Sequence, residues 1–108
     1  MNIYSSYTDG RLRIFLNGEL DHHEAKGAYN NISGSIERYM PRDCVLDLTS
    51  LSFMDSSGIA LLLRVFRKMN DNGGRAWVEN ASGQPLRVID ASGIDRIIKI
   101  SQIKETVK

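Results

Sequence analysis

The sequence contains few of the residues that cross-link or stiffen a small protein, with one cysteine and two prolines among 108 residues. A single cysteine, Cys44, cannot form a disulfide within the chain, and this fits a reducing compartment. Because Cys44 begins an apolar run, we interpret it as a small core residue and not as a reactive thiol. A chain of this length can form one hydrophobic core without disulfides or a structural metal, so we expect a single domain over residues 1–108.

The sequence also lacks long apolar segments and an excess of charge of either sign. No run approaches the ~20 apolar residues of a membrane span, and residues 1–10 have neither the basic patch nor the apolar stretch of a signal peptide. The 14 basic and 13 acidic residues give a net charge of +1, which offers no basic surface for nucleic acid or an anionic membrane. We therefore expect a cytoplasmic protein that binds neither directly.

The most informative stretch, residues 44–74, consists of an apolar run, a turn with aspartate and serine, and a long amphipathic segment. We predict a buried strand at Val45, Leu46 and Leu48, interrupted by Asp47, then a functional turn and a helix that ends at two glycines. The apolar residues of this helix recur at three- and four-residue spacing. They are Ile59, Leu62, Leu63, Phe66 and Met69.

The remaining chain predicts a hairpin, two further helices and two further strands. Asp9-Gly10 is a strong hairpin signal between residues 2–7 and the alternating residues 11–17. A helical face follows from Asp21 to Met40, and a shorter helix runs from Pro85 to Gly93. Residues 75–79 and 97–100 predict strands, and residues 101–108 predict helical turns packed through two apolar side chains. The apolar face of the first helix comprises Ala25, Ala28, Tyr29, Ile32, Ile36 and Tyr39, and the terminal apolar pair is Ile103 and Val107.

This order predicts an α/β fold with a mixed four- to five-stranded sheet, an N-terminal hairpin and about four helices. Helical crossovers join parallel neighbours, so the later strands should be parallel. The loops that leave the carboxyl ends of such strands gather at one edge, where open α/β sheets bind ligands. Here those loops are residues 18–23, 49–58 and 79–84.

Helical phase separates the two serines of the central turn. Asp55 is a good N-cap, Ser57 is predicted to face outward, and Ser56 is predicted to lie closer to the core. A phosphate on Ser57 would be stabilised by the helix N-terminus by roughly 0.3–1 kcal/mol. The same three residues are also common as simple caps, and the residues alone leave both interpretations open.

Ser57 shares its predicted outer line with Leu61, Arg64 and Lys68. We expect Leu61 to be an exposed apolar residue that could anchor a partner, with Arg64 and Lys68 as a basic rim. An isolated exposed leucine and a solvated basic face are equally ordinary features of a helix. The line therefore marks a candidate docking surface only in combination with the serine.

Catalytic and metal sites are not indicated. The nucleophile-elbow pattern G-x-S-x-G fails, because Met54 or Asp55 occupies the place of its first glycine. His22 and His23 are adjacent, so on a helix they diverge by about 100° and cannot bind one metal as an i, i+4 pair does. No phosphate-binding loop of the G-x-x-x-x-G-K-[ST] type is present. We therefore expect no catalytic residue, no metal and no cofactor.

Three segments resemble the STAS domain family, and in particular the bacterial anti-sigma-factor antagonists. They are LTSLSFMDSSGIALLLRVFRKM at residues 48–69, GELDHH at residues 18–23 and ASGIDRIIKI at residues 91–100. The resemblance extends from about Asp9 to Ile100. It implies that Ser57, the second residue after Asp55, is phosphorylated by a partner anti-sigma factor, so the protein is a substrate and not an enzyme.

The resemblance also implies partners and a docking surface. The partners are an anti-sigma factor with serine kinase activity and a serine phosphatase, and the protein is expected as a monomer or weak dimer. Two alternatives stay open, namely a structural STAS module of a stress-sensing scaffold and a STAS domain that binds a small ligand or nucleotide. The expected partner-binding residues are Asp21, His22, Asp55, Ser56, Ser57, Gly58, Leu61 and Arg64.

Overall fold

The N-terminal hairpin forms as expected in the computed structural model, which describes residues 1–102. Strand β1, Asn2–Thr8, pairs antiparallel with β2, Arg11–Leu20. The turn residues Asp9 and Gly10 have φ values of 53° and 81°, the left-handed conformation that two-residue hairpin turns require. Among the described strands, β1 pairs only with β2 and is an edge of the sheet.

Within residues 1–102 the sheet has six strands, one more than the largest number predicted. Strands β3, Asp43–Asp47, and β5, Arg75–Glu79, extend it in parallel beside β2, and the short β6, Ile100–Ser101, completes the order β1-β2-β3-β5-β6. The additional strand is β4, Leu51–Met54, which lies within the predicted functional turn. It forms because β2 is twice as long as β3, so the carboxyl end of β2 has a free edge where β4 pairs in parallel.

In the described part of the chain, three α-helices connect the parallel strands. They are α1, His22–Tyr39, α2, Ser56–Asp71, and α3, Gly83–Ser92, followed by a 3-10 turn at Ile94–Arg96. The α/β class and the parallel pairing are confirmed, but the last strand begins only at Ile100 because the 3-10 turn precedes it. The predicted helical turns around Ile103 and Val107 lie outside the described residues. None of the helices within residues 1–102 is both long and apolar enough to cross a bilayer.

The core lies between the sheet and α1 and α2. Alternating strand residues, among them Ile14, Leu46 and Val78, point to this side and are fully or almost fully buried. Cys44 belongs to the same layer, and desolvation by burial raises the pKa of its thiol to about 12. Its position therefore supports a packing role and not a reactive one. On α1 the buried contacts are made by Ala28, Ile32 and Ile36.

Asp47, which interrupts the apolar run of β3, belongs to a buried ionic group. Arg13 donates from Nη1 to Asp47 Oδ2 at 2.9 Å and to Glu79 Oε1 at 2.7 Å, and Trp77 Nε1 donates to Glu79 Oε2 at 2.8 Å. Desolvation acts to lower the pKa of Arg13, but the two carboxylates outweigh it and the pKa is raised. Buried charges of this kind are tolerated because each has a hydrogen-bonded partner.

Candidate functional site

The candidate site lies where α1 and α2 begin, and Asp55 joins the two helices. Asp55 Oδ1 accepts from Ser57 N at 2.8 Å, which caps α2, and Asp55 Oδ2 accepts from His22 N at 3.2 Å, at the first residue of α1. Asp21 caps α1 through hydrogen bonds from His23 N at 2.9 Å and Glu24 N at 3.1 Å. Two helix N-termini, each the positive end of a helix dipole, therefore lie side by side, with their first amides capped by Asp21 and Asp55.

The three predicted loops meet at this edge, as expected from parallel strands. Asp55 N donates to Leu20 O at 3.3 Å, which links the end of β4 to the end of β2. Gln84 on α3 links the third loop, because its side chain accepts from Met54 N and donates to Met54 O, both at 2.9 Å. Sequence reasoning did not identify this role of Gln84, since no periodic pattern marks a side chain that hydrogen-bonds a strand end.

Ser57 is partly buried in a groove of about 350 Å³ between α1 and α2. The groove is also lined by His22, Lys26, Tyr29 and Arg64. Within residues 1–102 no group hydrogen-bonds the Ser57 hydroxyl, and no side-chain oxygen there is both buried and unpartnered. The hydroxyl oxygen is therefore not completely enclosed by the protein, although much of the residue is covered.

The predicted order of exposure of the two serines is wrong. Ser56 is exposed and Ser57 is partly buried, whereas helical phase placed Ser57 on the outer side. The reason is that α2 packs against α1 as well as against the sheet. The side of α2 that faces away from the sheet is therefore only partly open to solvent, because α1 covers part of it and forms the groove.

The same packing overturns the prediction that Leu61 is exposed. Leu61 is 2% exposed and lies on the face of α2 that meets α1. Its line continues with Arg64, whose guanidinium stacks 3.7 Å from the centre of the Tyr29 ring, and with Lys68, whose Nζ donates to Glu37 Oε2 at 3.0 Å. The residues that we expected to face a partner therefore lie largely in the contact between α1 and α2. The residues of α2 that are buried are Gly58, Leu61, Leu62, Val65 and Met69.

Gly58 is buried at the crossing of α2 and the end of β4. A Cβ at this position would lie 3.0 Å from Met54 Sδ and 3.2 Å from Leu20 Cδ2, closer than ordinary van der Waals contact. Glycine therefore allows the start of α2 to approach the sheet, and this approach brings Asp55 within reach of α1. We assign Gly58 to packing.

The other predicted docking residues lie at the surface or close to it. His22 and Arg64 are exposed, and Asp21 and Asp55 are partly buried. Lys26 and Tyr29 were missed as groove residues, although their spacing from His22 was a usable signal. Residues four and three positions apart lie on one side of a helix, so His22, Lys26 and Tyr29 form a continuous line along α1.

The polar groups around Ser57 are occupied mainly by contacts between the two helices. Both carboxylate oxygens of Asp55 are engaged by backbone amides, and in the described chain no base is hydrogen-bonded to the Ser57 hydroxyl, as an activated nucleophile requires. His22 and His23 lie edge to face with ring centres 5.7 Å apart. Among residues 1–102, no three histidine, cysteine, aspartate or glutamate side chains are grouped closely enough to hold a metal ion.

Comparison with known proteins identifies the family. The STAS domain model matches residues 5–108, and the chain belongs to this family. It is 33% identical over 100 residues to the anti-sigma F factor antagonist of Paenibacillus polymyxa, with 93% of this chain and 86% of the relative covered. It is 36% identical over 83 residues to the anti-sigma F factor antagonist of Lysinibacillus sphaericus, with 77% of this chain and 69% of the relative covered.

Solved structures agree with this assignment. The anti-sigma factor antagonist SpoIIAA in its unphosphorylated form superposes with a TM-score of 0.82 at 28% identity, over 96% of this chain and 90% of SpoIIAA. The phosphorylated form of the Bacillus cell fate determinant SpoIIAA gives a TM-score of 0.74 at 30% identity, over 96% and 93% of the two chains. The fold is therefore one in which a phosphorylated and an unphosphorylated form have both been observed for a related protein.

Proposed function

We propose that this protein is an anti-sigma-factor antagonist that binds an anti-sigma factor with serine kinase activity and thereby releases a sigma factor. The names of its relatives support the regulatory role. The observation that carries the proposal for this chain is the Ser57 hydroxyl, which is not completely enclosed and makes no hydrogen bond within the described residues. It lies where Asp55 joins two helix N-termini. We expect the protein to act in the cytoplasm, as a monomer or weak dimer.

The proposed docking surface, which we call the switch surface, consists of Asp21, His22, Asp55, Ser56, Ser57 and Arg64. Buried Leu61 cannot anchor a partner there. Phe53 on β4 is 38% exposed and lies two residues before Asp55, so it takes the role of apolar contact in the proposal. Aromatic and arginine side chains surrounded by polar groups are the usual composition of an energetically important contact.

Phosphorylation of Ser57 would make the switch surface unfavourable for binding. It adds about −1.5 to −2 charges beside the Asp55 carboxylate, which is 2.8 Å from the Ser57 amide. Lys26 and Arg64 line the same groove, but Arg64 is already stacked on Tyr29, so neutralisation is partial. Loss of a desolvated interface contact costs about 2–5 kcal/mol, or about thirtyfold to several thousandfold in affinity.

The fold itself should change little on phosphorylation. The Ser57 hydroxyl makes no hydrogen bond that a phosphate would break within residues 1–102, and the amides at the start of α2 favour an anion. The switch is therefore local and electrostatic. Removal of the phosphate by a serine phosphatase would restore the docking surface, and the protein supplies no catalytic group in either direction.

The proposal is tested by the affinity for the partner anti-sigma factor. Titration calorimetry should show that Ser57→Asp binds at least about thirtyfold more weakly than the wild type, with an unchanged melting temperature. Ser6→Asp adds the same charge at an exposed position on β1 and should bind like the wild type. Equal affinities of Ser57→Asp and wild type would contradict the electrostatic switch.

A further inference from the structure

Three arginines converge on one buried carboxylate at the amino-terminal ends of the parallel strands, whereas Ser57 lies near their carboxyl ends. Asp43, the first residue of β3, is completely buried. Its Oδ2 accepts from Arg11 Nη2 at 3.1 Å and from Arg42 Nη2 at 3.2 Å, and its Oδ1 accepts from Arg75 Nη2 at 3.0 Å. One negative charge faces three positive charges, and in the described chain these arginines form ion pairs with no other carboxylate.

A cavity of about 440 Å³ opens beside this cluster. Two of the arginines, Arg11 and Arg75, line it together with Lys99, and none of the lining residues that the structure describes is acidic. The remaining walls are mainly apolar, because Trp77, Phe66 and Ile97 line the cavity as well. Arg11 and Arg75 flank the Trp77 ring at 5.0 Å and 5.6 Å from its centre, which keeps both guanidiniums beside the aromatic wall.

The cavity exists because β6 is too short to cover β5. Within residues 1–102, strand β6 pairs only with Val78 and Glu79, so among these residues nothing pairs with the first residues of β5 on that side. Backbone groups alternate along a parallel strand, and Val78 N donates to Lys99 O at 2.9 Å on the β6 side. The amide of Ala76 therefore points to the same side, where no residue among 1–102 accepts from it.

We propose that this cavity binds a small aromatic anion, with its charged group on Arg11, Arg75 and Lys99 and its ring against Trp77 and Phe66. In the part of the chain that the structure describes, each lining arginine donates to Asp43 through Nε and Nη2 only. Its Nη1 is therefore available for a ligand, and guanidinium groups bind carboxylate and phosphate through paired donors. The volume is that of a small-molecule site. The site is separate from the switch surface and goes beyond the proposed regulatory function.

Trp77 is the only tryptophan of the chain, so its fluorescence reports on the cavity directly. Titration with phenyl phosphate, which combines a ring and an anionic group, should change the emission in a saturable way, and added salt should weaken the binding. Inorganic phosphate and benzyl alcohol, which supply the charge alone and the ring alone, should each bind at least about tenfold more weakly. No saturable change with phenyl phosphate, or equal binding of all three probes, would overturn the proposal.

Variants locate the binding. Arg75→Gln leaves Arg11 and Arg42 on Asp43, so the fold should persist, and the affinity for phenyl phosphate should fall about tenfold. Lys99→Gln, at an exposed residue whose backbone alone is hydrogen-bonded, should weaken binding several-fold and provides the test if Arg75→Gln does not fold. Arg87→Gln removes the same charge from the surface of α3, outside the cavity, and should bind like the wild type. If Arg87→Gln weakened binding as much as Arg75→Gln, the cavity would not be the site.

Discussion

The Asp55 carboxylate accepts a hydrogen bond from the backbone amide of His22 at 3.2 Å while its other oxygen caps α2 at Ser57 N. A residue that looks like an ordinary helix cap in the sequence thus holds two helices, separated by β3 and β4 in the chain, in a fixed arrangement. This arrangement forms the groove that contains Ser57. The candidate phosphorylation site therefore lies at the hydrogen-bonded contact between the two helices.

Asp55→Ala should destabilise the protein more than a cap substitution alone. An N-cap replacement by alanine costs about 1 kcal/mol, and loss of the acceptor for the His22 amide adds about 1 kcal/mol. Asp21→Ala removes a cap that serves only α1 and is the matched control. Urea unfolding should give a loss near 2 kcal/mol for Asp55→Ala and near 1 kcal/mol for Asp21→Ala, and equal losses would argue against the bridge.

Gly58→Ala should lower the free energy of unfolding by about 1–3 kcal/mol, because the added methyl group overpacks the contact with Met54 and Leu20. Gly27→Ala in α1 is the control, since a Cβ there has no atom within 4 Å and alanine favours the helix by up to about 1 kcal/mol. Thermal melts should therefore shift in opposite directions for the two variants. A Gly58→Ala protein as stable as the wild type would show that the close approach of α2 is not required.

The ionised carboxylate of Asp43 should contribute to the free energy of unfolding, and this contribution should be lost at acid pH. Burial alone would raise the pKa of Asp43, but hydrogen bonds from Arg42, Arg11 and Arg75 outweigh it and lower the pKa below the ordinary value of 3.8. Because the pKa is lowered in the folded protein, the contribution is complete above that ordinary value and is lost as the pH falls below it.

Asp43→Asn tests this dependence. At pH 7 it should be less stable than the wild type by about 1–3 kcal/mol, a range reduced because all three arginines are partly exposed. The difference between the two proteins should shrink as urea unfolding is repeated towards pH 3. A difference that stays constant over this pH range would contradict the role of the ionised carboxylate.

The sequence was sufficient to predict the helices α1 and α2, the hairpin and the edge where the loops meet, because these follow from local periodicity and turn residues. It was not sufficient for β4, since that strand depends on the free edge left by a long β2. It also misplaced Leu61 and the two serines. Helical phase defines one buried side of a helix, whereas α2 is covered by α1 as well as by the sheet. Only the tertiary arrangement shows that α1 covers the line of Leu61.

The cluster of Asp43 and its arginines could not be predicted from the sequence either. Arg11, Asp43 and Arg75 are each the first residue of a strand and are adjacent only through the parallel register of β2, β3 and β5. Charged residues at strand starts are common at protein surfaces, so no local pattern distinguishes them. Their convergence depends on strand order, which sequence periodicity does not specify.

The central claim is that Ser57 is the phosphorylated residue, and mapping the phosphate tests it most directly. The protein is incubated with ATP and the anti-sigma kinase encoded beside it, and the modified residue is identified by mass spectrometry in the wild type, Ser56→Ala and Ser57→Ala. We predict one phosphate on Ser57 in the wild type and in Ser56→Ala, and none in Ser57→Ala, although that variant still binds the kinase. Phosphate on the more exposed Ser56, or phosphorylation of Ser57→Ala, would contradict the account.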